Sequence, residues 1–397
     1  MKVFVFNPEN DLALADGTAA YSAPPAAMRI AYDLSTLPLW YGEEGSYVYM
    51  PDALHREYYN ALASSFTLAR PYDKTHLDEV TELLPWGWSM QMRRRLRQLG
   101  VNEEYLPAEQ EINTMRDLSS RKSSIKIVEA LKQRGIDVPE IPVFFTTPDD
   151  VACFVNSRER CVIKAPWSGS GKGIMWGKGR VERPLEQFYK GIIRRQGGVV
   201  CENFLEGVVE FAMEFRATGE KVCFAGYSLF TTSNAAYNGN ILATDSDIEK
   251  FLSSYIPAET ISSVKGNLSL VLTELLSKSR YTGYLGIDMM IYNDGGKIRL
   301  NPCMEMNLRM NMGMVSRIFY DKYIFAGALG KYYVAFFKAK GEALERHENL
   351  QKNNPLLLND GKITSGYLNL SPVTEETSYM AYVVIEPGKS VTELYSR

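Results

Sequence analysis

Tyr284 to Met314, YLGIDMMIYNDGGKIRLNPCMEMNLRMNMGM, is the stretch on which the reading of the whole chain turns. From Cys303 onward its residue types alternate. Met304, Met306, Leu308, Met310 and Met312 take one parity, and Glu305, Asn307, Arg309 and Asn311 take the other. Successive side chains of an extended chain point to opposite faces, so Glu305, Asn307 and Arg309 project together while the Met/Leu set packs inward. Upstream, Tyr284 to Tyr292 is aliphatic and aromatic with a single carboxylate, Asp288. Asn293-Asp294-Gly295-Gly296 then supplies the left-handed-tolerant residues of a hairpin turn. Asp288 and Glu305 are therefore expected on neighbouring antiparallel strands.

Two carboxylates within ~4 Å repel by roughly 4 kcal/mol at a surface-like dielectric. A divalent cation removes that cost, and oxygen ligands from two acids and an amide suit a hard ion such as Mg²⁺. Register sets a condition. A tight turn centred on Asp294-Gly295 places Asp288 opposite about Asn301, with Glu305 further along the partner strand, and at ~3.4 Å per residue that is too far for a shared ion. A bulge at Asn301-Pro302 closes the gap, because proline inside a strand marks an edge or a bulge. Without it Asp288 is structural and the metal set reduces to Glu305 and Asn307. A half-buried hairpin with a polar outer face has the same local pattern, so the rest of the chain has to decide.

The chain has 397 residues, more than one hydrophobic core comfortably organises. Its formal charge of −3 gives no electrostatic reason for a nucleic-acid or anionic-membrane partner. Cys153, Cys161, Cys201, Cys223 and Cys303 form no CxxC pair, and His55, His76 and His347 are scattered, which argues against zinc, disulfide and histidine-centred chemistry. The apolar run in MKVFVFNPEND is shorter than a signal peptide's, and no stretch approaches a membrane-spanning length. We read a cytoplasmic protein.

Lys2 to Phe6 reads as a buried strand followed by the polar loop Asn7-Pro8-Glu9-Asn10-Asp11. That loop is either a ligand contact beyond the strand's carboxyl end or a turn capping the next helix. A helix over Pro24 to Leu34, a strand over Tyr47 to Met50 and a basic amphipathic helix over Trp86 to Leu99 complete a small α/β lobe. Arg93-Arg94-Arg95 in that helix reads as a solvated face or an anion site. A second unit begins near Ser119, where Ser119 or Ser120 caps a helix running to Arg134 with Ile127, Val128 and Leu131 inward. Thr147-Pro148-Asp149-Asp150 starts another helix, and Cys161 to Ala165 is a strand carrying Lys164.

Trp167-Ser168-Gly169-Ser170-Gly171-Lys172-Gly173 follows directly. Each glycine costs about 0.5–1 kcal/mol relative to alanine, so three together call for a reason. Either the backbone approaches phosphate oxygens with free N–H groups, or the segment is a plain hairpin tip. Three known phosphate loops fail the spacing test. A P-loop would need glycine where Pro166 stands and Ser/Thr where Gly173 stands; a dinucleotide fingerprint would need glycine at Ile174; a protein kinase places its strand lysine after the glycine loop, not before it as Lys164 is. A helix over Pro184 to Arg195 then leads to the strand Val199 to Glu202 and on through Asn203-Phe204-Leu205-Glu206-Gly207-Val208-Val209-Glu210, with Glu206-Gly207 breaking the parity like a linker between lobes. Glu202, at the edge of an apolar slot, either accepts from an exocyclic amine such as adenine's or pairs with a surface lysine.

Taken as an ordered set, Lys122, Lys164, the SGSGKG loop, Glu202 at the head of ENFLEG, Glu210, Asp288 and Glu305-x-Asn307-x-Arg309 resemble the ATP-grasp superfamily over roughly residues 119–316. The resemblance implies an α/β chain of α+β lobes, an ATP-grasp fold with an N-terminal α/β pre-grasp domain and a small glycine-rich lid. It implies that Lys122 and Lys164 contact phosphates and that Gly169, Ser170 and Gly171 fold over them. Glu202 then reads the adenine amine beside the Leu205 backbone, and Glu210 binds the ribose hydroxyls. Asp288, Glu305 and Asn307 hold Mg²⁺, or Mn²⁺ in its place, and Arg309 steadies an acyl phosphate. Phosphoryl transfer is mostly positioning and charge neutralisation, which fits such a set.

The activity implied is an ATP-dependent carboxylate–amine ligase, with Lys164 and Arg309 as its catalytic cations and small-molecule carboxylate and amine substrates. Nucleic acid and membrane are excluded as partners and a homodimer is allowed. A small-molecule kinase and a nucleotide-binding regulatory module without turnover are the alternatives. The division read from the chain is 1–116, an N-terminal substrate-side domain; 117–202, the first grasp lobe with its lid; 203–345, the second with the metal site; and 346–397, a C-terminal β extension. Two further stretches carry expectations. Val315 to Arg346 reads as one long helix whose aromatic residues are packing rather than a cofactor site. Tyr227 to Asn240 reads as a loop, substrate-facing or plain, and Gly366 to Leu370 and Tyr379 to Ile385 read as short strands.

Overall fold

The computed structural model describes residues 1–72, 77–169, 173–233 and 236–396. Among them the strands form three sheets. The first is parallel, with β1 (Lys2–Val5), β2 (Tyr47–Tyr49), β3 (Arg70–Tyr72) and β4 (Glu82–Pro85) in the order β3-β2-β1-β4. The second is antiparallel, with β5 (Val143–Phe145), β6 (Cys161–Lys164), β7 (Ile174–Gly177) and β8 (Val199–Asn203) in the order β5-β8-β6-β7.

The third and largest sheet comprises β9 (Glu206–Thr218), β10 (Val222–Ser233), β11 (Ala236–Leu242), β12 (Thr282–Asp294), β13 (Lys297–Asn307), β14 (Gly330–Phe336), β15 (Leu357–Asn359), β16 (Lys362–Asn369) and β17 (Tyr379–Ile385). Its order is β13-β12-β9-β10-β11-β14-β17-β16-β15. The C-terminal strands thus continue the site-bearing sheet.

Alternation explains why this sheet is two-faced. Phe211, Met213 and Phe215 on β9 and Ile287, Met289 and Ile291 on β12 are fully buried on one side. They pack against Ile261, Val264, Leu268 and Leu272 of the helix Ala258–Leu276 and against Ile127, Val128 and Leu131 of the helix Lys122–Gln133. The other side carries the charged residues, so the core builds the floor of the site.

A second core joins the N-terminal lobe to the C-terminal strands. Trp40 packs edge-on against Phe66, Phe319 and Tyr323 and donates from its indole nitrogen to the Leu370 carbonyl at 2.9 Å. Phe319 and Tyr323 are thus lobe-interface packing, but the single helix expected over Val315 to Arg346 is not formed. The chain runs as a helix (Met312–Tyr323), then β14, then a helix (Glu342–Asn353). Gly327 and Gly341 at φ 82° and 85° turn the backbone on either side of β14. The aromatic residues between them alternate as a strand's do, with Tyr332 buried and Tyr333 half-buried.

Tyr227 to Ser233 and Ala236 to Asn240 are likewise strand, parts of the paired β10 and β11, rather than loop. Of Arg93-Arg94-Arg95, Arg94 is exposed and Arg95 half-buried, as on a solvated face, and Arg93 is not. Arg93 is buried, donating to the Pro107 carbonyl and pairing with Glu103, while Arg94 donates to the Ala19 carbonyl.

Candidate functional site

The hairpin begins at Gly295 and Gly296, both at positive φ (60° and 97°). From there Asp294 pairs with Lys297 and the register holds to Met290 opposite Asn301. Beyond that point Met289 alone opposes Pro302, Cys303 and Met304, and Asp288 comes to stand opposite Glu305. The proline-marked bulge required by the sequence reading is present, and it puts both carboxylates on the polar face of the sheet. The Asn307 amide donates to Asp288 Oδ2 at 3.0 Å. Loss of solvent and the Glu305 charge push the Asp288 carboxyl up to about 7.

Two more acids stand on that face from β9: Glu210 opposite Met290, and Glu214 opposite Gly286. Glu214 is only 1% exposed and accepts from the Asn311 amide at 2.7 Å. Burial raises its carboxyl to about 8. Glycine at 286 and 313 is a steric requirement here, since a Cβ on either would come within 2.8 Å and 2.4 Å of a Glu214 carboxylate oxygen. Asn311 also caps the helix Met312–Tyr323 by accepting from the Met314 N–H at 2.8 Å.

The cations arrive from three directions. Arg121, 3% exposed, donates to Glu305 Oε2 at 2.8 Å and to the Ala165 carbonyl and Ser168 Oγ at 2.7 Å each. It ties the base of the glycine loop to the acidic face. Arg309 donates from Nε and Nη2 to the two Asp11 oxygens at 2.6 Å each, and from Nη2 to Asn307 Oδ1 at 3.1 Å. Asp11 lies in the first turn of the helix Asn10–Asp16 that follows β1, so the N-terminal lobe reaches the end of β13. Trp167 anchors the loop from its other side, donating from its indole to the Arg116 carbonyl at 2.8 Å beneath the Arg116 guanidinium.

Lys122, expected at the phosphates, is not brought to this face. The helix starts one residue after Arg121, and the exposed Lys122 ammonium lies 4.3 Å from the centre of the Phe144 ring on edge strand β5. One residue is a 100° turn of a helix, so Lys122 leaves the start of the helix on a different side from Arg121.

Lys164, 4% exposed, forms an ion pair with Glu202 across β6 and β8. Glu202 and Leu205 line a cleft of about 220 Å³ together with Val128, Asn301 and Cys303. The cleft lies between the second and third sheets, with Asn203 on one side and Tyr292 and Arg299 on the other. The Glu210 backbone donates to the Tyr395 hydroxyl at 3.3 Å, so the C-terminal helix Val391–Tyr395 braces this strand. Of the glycine loop, Gly169 abuts Asp11, where a Cβ would lie 3.2 Å from Oδ2. Ser170 and Gly171 lie outside the described residues.

The structure thus gathers Glu210, Asp288, Glu305, Asn307 and Arg309 on one face of the third sheet, sets Gly169 against Asp11, pairs Lys164 with Glu202, and lines the cleft with Glu202 and Leu205. Sequence reasoning missed Arg121 and Glu214 and gave Asp11 no role. Glu214 was legible in the alternation Glu210-Phe211-Ala212-Met213-Glu214-Phe215, which aligns it with Glu210 opposite the core face. Among the described residues no three of His, Cys, Asp and Glu gather as a cation cage, so a metal would rest on two carboxylates and an amide. Among the described residues no helix is long and apolar enough to cross a membrane.

No protein-family model matches the sequence, and no curated protein is significantly similar to it. Solved structures do match. A biotin carboxylase–β,γ-ATP complex from Campylobacter jejuni aligns with TM-score 0.50 at 10% identity, over 97% of this chain and 87% of that one. The ADP complex of N5-carboxyaminoimidazole synthetase from Staphylococcus aureus aligns with TM-score 0.49 at 14% identity, over 99% and 95%. The corresponding ribonucleotide synthetase from Thermotoga maritima gives 0.45 at 14%, over 100% and 96%. At such identities the likeness is one of fold, and it rests on the biotin carboxylase match.

Proposed function

We propose that this chain, whose fold is that of the ATP-grasp proteins, is an ATP- and Mg²⁺-dependent ligase that joins a small-molecule carboxylate to an amine through an acyl phosphate. The observation that carries the reading is the placement of Asp288 against Glu305, with Arg121 donating to Glu305 and Arg309 to Asn307, on the β12–β13 hairpin whose Asn301 and Cys303 line a cleft with Glu202 and Leu205.

Residues present fit a divalent cation. Two facing carboxylates, one of them held up to about 7 partly by the other, form a like-charge pair that an ion relieves, and the all-oxygen donor set suits Mg²⁺ or Mn²⁺. Asp288, Glu305 and Asn307 would hold it. When bound, it supplies charge neutralisation to the ATP phosphates.

The chain's own groups divide the remaining work. Glu202 and the Leu205 backbone recognise adenine, Glu210 the ribose, and Lys164 the phosphates. Gly169 and its loop cover the transferring group. A substrate carboxylate oxygen attacks the γ-phosphorus, the bond to the β-phosphate oxygen breaks, and ADP departs. The amine then attacks the acyl carbon, phosphate leaves with its bonding pair, and the amine gives up a proton. Arg309 stabilises charge on the acyl phosphate.

An ADP-release screen over pooled carboxylates and amines, followed by mass spectrometry of each hit, tests this. ADP and phosphate appear only when both substrates are present. A stable phosphorylated product formed without amine would make the protein a kinase instead.

A further inference from the structure

Arg309 is more heavily engaged than a group waiting for a substrate should be. A guanidinium has five N–H donors. Here Nε and Nη2 grip the Asp11 carboxylate side-on at 2.6 Å each, Nη2 also donates to Asn307 Oδ1, and Nη1 donates to the Met310 carbonyl. Four donors are committed, and the bidentate edge that best fits a carboxylate is the one Asp11 holds.

Asp11 reaches this place from a lobe 298 residues away in sequence. It belongs to the first turn of the helix Asn10–Asp16, directly beyond β1. Gly169 packs against its carboxylate from the loop side, where a Cβ would lie 3.2 Å from Oδ2. The hollow bounded by Asp11, Trp167, Ser168, Glu305, Asn307 and Arg309 has about 10 Å³ of space, and one water needs about 10–15 Å³ of such space. The transfer end of the cleft is closed, and the group that closes it is a carboxylate on an arginine.

We infer that Asp11, held side-on by Arg309, is an internal stand-in for the substrate's carboxylate and is displaced when the substrate binds. The inference rests on the ligase reading for the identity of the site and adds how its acyl substrate enters. Exchange of one carboxylate for another leaves the charge on Arg309 matched throughout. Simple opening would leave a partly buried arginine unpaired, which is costly. Asp11 is therefore released only when another carboxylate takes its place, and its contact with Gly169 is given up in the same event.

The test uses the full-length protein with ¹³C-acetate as the probe carboxylate, binding being followed by NMR and by Trp167 fluorescence, with chloride at equal ionic strength as control. Wild type binds acetate saturably. Asp11→Asn, which keeps shape and removes the competing charge, binds it at least tenfold tighter, and Arg309→Gln does not bind it. No saturable binding to wild type, or equal binding in wild type and Asp11→Asn, overturns the inference. So does binding that survives Arg309→Gln. Because wild type is itself measured, failure of a variant to fold leaves the claim testable. ADP release is read separately, so exchange without turnover would sink the ligase reading alone, and turnover without exchange would sink only this one.

Discussion

Asp288 and Glu305 stand opposite each other because one residue of β12, Met289, faces three of β13. Had the hairpin kept its register past Met290, their side chains would not share one site. The bulge at Pro302 is thus a positional device for an acidic pair, and the raised Asp288 carboxyl is its electrostatic signature.

That signature predicts how metal affinity varies with pH. Asp288, pushed up to about 7, holds a proton below that value and must lose it to ligate. Apparent Mg²⁺ affinity should rise from pH 6 to 8 and then level, with proton release on binding in the same window. Calorimetry in two buffers of different ionisation enthalpy reads both. Asp288→Asn should abolish the dependence, and a flat wild-type profile would remove Asp288 from the metal set.

Glu214 gives a stability prediction. Its carboxyl, normally near 4.5, is raised to about 8 in the folded chain. Below 4.5 folded and unfolded chains are both protonated. Between 4.5 and 8 only the folded chain keeps the proton, so its contribution to stability falls as pH rises through that window. Glu214→Gln should therefore gain stability relative to wild type from pH 5 to 8, measured by urea midpoints with divalent ions chelated. A constant difference would show that Glu214 stays ionised.

Lys164 and Glu202 should behave as a coupled pair. Removing one partner of a shielded pair strands the other's charge. Lys164→Ala is expected to lower the unfolding midpoint more than the double variant Lys164→Ala/Glu202→Gln does. Additive midpoints would mean that the pair is solvated and does not couple.

Arg121 and Lys122 offer a contrast between adjacent residues. Arg121→Ala frees Glu305 and the base of the glycine loop, and should cut turnover by about 10²–10³, as loss of a charge-stabilising group does. Lys122→Ala removes a contact with a half-buried ring and should leave turnover within a few-fold. The opposite ranking in steady-state ADP release would restore Lys122 to the phosphates.

Much of the site was legible because short-range rules governed it. Parity placed Glu305 with Asn307, the Asn-Asp-Gly-Gly run placed the turn, and Pro302 announced the bulge. Lys164 and Glu202 were fixed by their strands. The failures are equally physical. Helix starts are uncertain by a residue or two, and one residue of rotation separates Lys122 from Arg121. The Arg309–Asp11 pair joins lobes that no local pattern connects. The aromatic run after Val315 was dense enough to read as a helix on any period, and the glycines that break it did not outweigh the aromatics.

The account's central claim is that ATP activates a carboxylate, and oxygen isotope transfer tests it most directly. With the carboxylate returned by the ADP-release screen, labelled with ¹⁸O in its carboxyl group, the acyl-phosphate route predicts that one ¹⁸O appears in the inorganic phosphate for each amide formed. Unlabelled phosphate accompanying labelled product would contradict it.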